Sequence, residues 1–297
     1  MEYLRPVVRV LLLLAAMASA ATPATQPIQT GAYRITFDQR SPWSDPFEVG
    51  PRMGTGRAVI QQQLSKVEYR LPNESFELYV PPQYDGEEPY GLLVWMSPGN
   101  AGHPLPAWKP ILDSTKLIWI GPNNAGNDRQ PIIRVGLALD AAHNARRRFN
   151  INPDRVYVAG LSGGGRISSM AAIAFADQFS GGFYCCGVNY YRELPSREQA
   201  PGVFRRSFAA PPARILALAR TKVRHVLLTG ETDGNREQTK VYADAMRKEG
   251  YKFVTYMEVP GMGHAPPDAE WFAKGIATLD ADIQKPATRP SSPARGR

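Results

Sequence analysis

The stretch from Tyr157 to Ile167, YVAGLSGGGRI, sets an apolar run against four glycines and a single serine, Ser162. Each glycine weakens a strand or helix interior by roughly 0.5–1 kcal/mol relative to alanine, so the cluster points to a backbone requirement that only glycine meets. Gly160-Leu161-Ser162-Gly163-Gly164 fits the G-x-S-x-G pattern of a sharp strand-to-helix turn. Such a turn lifts the hydroxyl clear of the backbone at a helix N-terminus, whose amides favour developing negative charge.

A serine hydroxyl is a poor nucleophile at neutral pH and needs a base, most often histidine. The chain has four. His143 falls inside a predicted helix, His225 opens a strand at the wrong end, and His103 belongs to a loop. His264, in VPGMGHAPP, follows the last predicted strand through a glycine-rich loop and could swing over Ser162. A carboxylate must then hold the imidazole in one tautomer and stabilise the imidazolium. Asp233, in LLTGETDGN, lies just beyond a strand's carboxyl end; Glu231 in the same loop competes with it, while Asp177 and Asp244 fall on helix positions. A tetrahedral oxyanion needs two donors. Gly163 supplies the amide that follows the nucleophile. The other is expected from SPGNAGHP, where Gly99, Asn100 and Ala101 all offer amides, Asn100 being preferred.

These residues must be held by a scaffold, and short β-rich runs alternate with helical patterns along the chain. SFELYVP, GLLVWMS, KLIWIGP, RVYVAG, GGFYCCGV, HVLLTG and FVTYMEV read as strands, several apolar almost throughout, as in strands buried on both faces. Helices are predicted over 131–149, 163–176, 237–248 and 268–279. The alternation implies a mostly parallel central sheet with helices on both faces, in which functional groups gather at the strands' carboxyl ends. The first two predicted strands, joined without a helix, are expected to form an antiparallel N-terminal edge.

The chain has 297 residues, 43% apolar and 21% charged, ordinary for a globular protein. Its formal charge is +8; residues 1–20 contribute +1 and 285–297 contribute +4, which leaves +3 on the body and no argument for a nucleic-acid partner. At the N-terminus, Arg5 and Arg9 precede an apolar run from Val10 to Ala18, and Ala18-Ser19-Ala20 offers a small-residue cleavage pattern. This reads as a signal peptide over 1–20. The run is about half of the ~20 apolar residues that a membrane span needs. A secreted or periplasmic protein without a stable membrane anchor is therefore expected, with a lead-in over 21–30, one catalytic domain over 31–284 and a disordered basic tail over 285–297. The two cysteines, Cys185 and Cys186, are adjacent, which suits two small buried strand residues better than a disulfide or a metal site.

Ser162, Asp233 and His264, in that order on an alternating sheet, resemble the α/β-hydrolase superfamily. INPDRVYVAGLSGGGRISSMAA, with the signal peptide, resembles the secreted poly(3-hydroxybutyrate) depolymerase and feruloyl-esterase-like branch. The resemblance implies an α/β-hydrolase fold and a serine esterase that acts on a small-molecule or oligomeric ester with no cofactor or metal. In that branch a His-Gly pair often stands where this chain has Ser97-Pro98-Gly99-Asn100. Trp95, Tyr190 and Tyr191 are candidates to line an acyl pocket, and core packing explains them equally well. Amide cleavage on the same residues, or a non-catalytic binding protein on this fold, are the alternatives.

Overall fold

A computed structural model describes residues 28–65, 69–196, 198, 202–281 and 283. The expected signal peptide and basic tail lie outside the described residues.

Eight strands form one sheet: β1 (Gly31–Thr36), β2 (Ser75–Val80), β3 (Tyr90–Met96), β4 (Leu117–Pro122), β5 (Ile151–Leu161), β6 (Gly181–Cys185), β9 (Arg224–Gly230) and β10 (Phe253–Val259). Their order is β1-β2-β4-β3-β5-β6-β9-β10. The β1–β2 and β2–β4 pairs are antiparallel and all the others parallel. A separate two-stranded ladder joins β7 (Leu194–Pro195) to β8 (Val203–Phe204). The helices are α1 (Pro46–Arg52), α2 (Arg57–Leu64), α3 (Lys109–Ser114), α4 (Pro131–Arg148), α5 (Gly163–Ala174), α6 (Ala213–Thr221), α7 (Arg236–Lys248) and α8 (Ala269–Leu279).

Strand β3 shows why its sequence is apolar throughout. Successive side chains leave a strand on opposite faces. Leu92, Val94 and Met96 enter the core with Ile133 and Leu137 of α4 and Ile167 and Met170 of α5. Leu93 and Trp95 enter a second core with Leu112 of α3 and Phe272, Ile276 and Leu279 of α8. Both faces of the sheet are thus covered, as the buried strand runs required.

The antiparallel edge is built differently from the expectation. Strands β2 and β3 do not pair with one another, because β4 lies between them, and the partner of β2 on the outside is β1. Its residues alternate between half-buried and exposed, which weakens its pattern in the sequence. Strand β6 ends at Cys185, so Cys186 lies past the strand, with a positive φ of 52°. Both thiols are free and buried.

Candidate active site

Strands β5, β6, β9 and β10 run parallel, and the loops after β5, β9 and β10 deliver three side chains to one place. Ser162 links β5 to α5 with φ 54° and ψ −119°, a region that residues other than glycine rarely occupy. The turn is pinned where the Ser162 amide donates to the Cys185 carbonyl (2.8 Å) and its own carbonyl accepts from the Arg166 amide (3.0 Å). Gly164 is required by close approach: a Cβ there would lie 1.8 Å from the carbonyl oxygen of Met96 at the end of β3. The loop that follows β3 is thereby pressed against the start of α5.

His264 Nε2 lies 2.8 Å from Ser162 Oγ, and its Nδ1 lies 2.8 Å from Asp233 Oδ1. The carboxylate accepts only, so Nδ1 carries the proton and Nε2 is the lone pair facing the serine hydroxyl. The Asp233 side chain is 1% exposed while that of His264 is 45% exposed, so the carboxylate is sealed below an imidazole that meets solvent. Burial alone would raise the Asp233 carboxyl. Hydrogen bonds from the Asn235 amide, His264 and Thr229 outweigh it and hold the group below its ordinary value, ionised at neutral pH.

The other candidates fall elsewhere. His225 is buried, with Nδ1 2.7 Å from the Tyr184 hydroxyl and Nε2 3.1 Å from the Ala219 carbonyl. His143 is half-buried on α4, and His103 is an exposed loop residue. Glu231 accepts from the Gly261 amide (2.8 Å), Asp177 pairs with Arg52 (2.8 Å), and Asp244 with Arg247 (3.2 Å).

Several residues around the three had no clear signal in the sequence. Thr229 Oγ1 donates to Asp233 Oδ2 (2.9 Å), and the Asn235 amide donates to Asp233 Oδ1 (3.1 Å). The Asn235 side chain donates to the Cys186 carbonyl (2.9 Å) and accepts from Arg166 Nη2 (2.9 Å). Only the position of Arg166, four residues after Ser162 on the same helix face, could have pointed to it. The Cys186 thiol donates to the Ala265 carbonyl (3.4 Å), tying the end of β6 to the histidine loop. Burial, and then the charge of Asp233, push this thiol up to about 12. Cys186, Asp233 and His264 offer metal-ligating atoms within 4.8 Å of one another. In the structure they are engaged otherwise, the thiol with the Ala265 carbonyl and the carboxylate and imidazole with each other.

For the oxyanion donors, the Gly163 amide opens α5, where helix amides lack intrahelical partners. The Gly99 amide is committed to Ser97 Oγ (3.1 Å). The Asn100 carbonyl accepts from the Asn124 amide (3.1 Å), and its side chain from the Gly126 amide (3.2 Å). No hydrogen bond of the Asn100 or the Ala101 amide occurs among the described residues, so both amides of this loop are free to donate, Asn100 among them.

The three aromatic candidates are core residues and not a pocket rim. Trp95 stacks on Trp119 (5.1 Å, 25°) and meets Trp108 edge-on (5.0 Å), because its position in β3 sends it to the α3 and α8 face. Tyr190 is fully buried against Tyr191 (4.4 Å). The Tyr191 hydroxyl donates to Glu249, which also accepts from Arg192 and Arg220 (3.0 Å each).

No family model matches the sequence, and no curated protein matches it. Solved structures do match. S-formylglutathione hydrolase FrmB from Staphylococcus aureus superposes with TM-score 0.52 at 13% identity, over 85% of this chain and 98% of that one. A hyperthermophilic esterase from Pyrobaculum calidifontis gives 0.52 at 13%, over 86% and 84%. The feruloyl esterase module of Clostridium thermocellum, complexed with sinapinate, gives 0.50 at 16%, over 70% and 81%. At such identities the likeness is one of fold, and the chain has the α/β-hydrolase fold.

Proposed function

We propose that this α/β-hydrolase chain is an exported serine hydrolase that cleaves carboxylic esters. The observation that carries this reading is His264, whose two ring nitrogens lie 2.8 Å from Ser162 Oγ and 2.8 Å from Asp233 Oδ1. Ser162 Oγ attacks the ester carbonyl as His264 Nε2 takes its proton. Asp233, ionised and buried, stabilises the imidazolium and keeps Nδ1 protonated. The oxyanion is bound by the Gly163 amide and by the Asn100 amide of the loop after β3. The imidazolium then protonates the departing alcohol, leaving the acyl group on Ser162. Water attacks this acyl-enzyme with His264 as its base, which releases the acid and restores the serine. Export rests on the sequence of residues 1–20.

Hydrolysis of p-nitrophenyl esters from acetate to long chains, methyl ferulate, a hydroxybutyrate oligomer and peptide p-nitroanilides tests this with wild type and Ser162→Ala. The expectation is ester turnover confined to wild type, with a fluorophosphonate probe labelling wild type alone. Turnover confined to the anilides would select the amidase chemistry. Silence of folded wild type toward substrates and probe would select a non-catalytic binding protein.

A further inference from the structure

A second loop reaches the nucleophile turn. The loop from 123 to 130, between β4 and α4, is tied to the loop after β3 in three places. The Asn124 amide donates to the Asn100 carbonyl (3.1 Å), the Gly126 amide to Asn100 Oδ1 (3.2 Å), and the Asn127 amide to the Pro98 carbonyl (3.0 Å). This unit sets the Asn127 carboxamide directly over Gly163: a Cβ on that glycine would lie 1.9 Å from Asn127 Oδ1 and 2.9 Å from its Nδ2. The approach explains why the residue after Ser162 has no side chain.

The carboxamide is held one way round. Arg134 Nη1 donates to Asn127 Oδ1 (3.2 Å) and Nη2 to the Ser97 carbonyl (3.0 Å). A guanidinium has donors only, so the oxygen must face it and the NH2 must turn away. Among the described residues that NH2 has no hydrogen-bond partner, and Asn127 is exposed. Arg134 itself is only 4% exposed, and no carboxylate among the described residues lies within ion-pair distance of it. A buried, unpaired cation is costly, and this one is spent on two oxygens of the paired loops.

We propose that Asn127 Nδ2 donates a third hydrogen bond to the oxyanion, beside the Gly163 amide, and that Arg134 is a positioning residue that fixes the carboxamide for it. The proposal rests on the serine-hydrolase reading. Removing one preorganised donor of this kind lowers kcat by roughly 10²–10³.

The test compares wild type, Asn127→Ala, Asn127→Asp and Arg134→Lys on a p-nitrophenyl ester and its thionoester, with thermal melts of each variant. Sulfur accepts hydrogen bonds weakly, so a lost oxyanion donor should cost the oxygen ester far more than the thionoester. Asn127→Ala is expected to lose about 100-fold in kcat, with KM within a few-fold of wild type and a reduced preference for the oxygen ester. Asn127→Asp should lose at least as much, and Arg134→Lys should show the same narrowed preference. Asn127→Ala within threefold of wild-type kcat would overturn the proposal, as would equal losses on both esters. Wild-type turnover that survives Ser162→Ala would instead overturn the serine reading and this inference with it.

Discussion

Replacing Ser162 with glycine should make the protein more stable than replacing it with alanine, although both changes abolish the nucleophile. Each removes the hydroxyl and its bond to His264, so these losses cancel in the comparison. What remains is the backbone at φ 54° and ψ −119°. Holding a residue with a Cβ in such a region costs about 1–3 kcal/mol, and glycine is free of that cost. Against this, glycine in the unfolded chain has more freedom to lose, about 0.4–1 kcal/mol. The difference favours Ser162→Gly by about 1 kcal/mol, or roughly 2–4 °C in melting temperature for a domain of this size. Urea unfolding of the two variants side by side measures it. Equal stabilities, or alanine the more stable, would refute the claim that the turn stores strain to present its hydroxyl.

Two further outcomes follow from the packing and the titratable groups. Gly164→Ala, with its Cβ 1.8 Å from the Met96 carbonyl, should displace the loop after β3 and lower kcat/KM by about tenfold or more while destabilising by about 1–3 kcal/mol; Gly56→Ala, with open space at its Cβ, should leave turnover unchanged. Burial pushes His225 down to about 4. The unfolded chain therefore binds a proton below about pH 6.5 that the folded chain refuses. Stability present above that pH should fall by about 3 kcal/mol as pH drops toward 4. Urea titrations across this window, with His225→Gln flattening the dependence, would check it; an unchanged slope in the variant removes His225 from the account.

The glycines around Ser162 were readable because the turn needs them, and the loops after β9 and β10 because the chemistry needs an acid and a base at strand ends. What could not be read is what depends on partners distant in the chain. Strand β4 inserts between β2 and β3 through pairings that no local pattern encodes. Trp95, Tyr190 and Tyr191 have the composition of either a pocket or a core, and only the face on which each emerges decides between them. Asn127 and Arg134 lie in an ordinary polar loop and on a largely buried helix. Their meaning comes from the Gly163 backbone that Asn127 approaches, well downstream in the chain, and from the bond by which Arg134 holds Asn127 there.

One contact gives the molecule a built-in optical reporter. The Trp108 indole donates through Nε1 to the Pro267 carbonyl (3.2 Å), three residues beyond His264. The same ring stacks on Phe272 at 4.3 Å and lies 5.0 Å from Trp95. A shift of the histidine loop must therefore disturb an indole hydrogen bond inside a cluster of coupled rings. The emission of this cluster should change whenever the base leaves its seat, so opening of the loop can be timed by stopped-flow fluorescence without attaching a label.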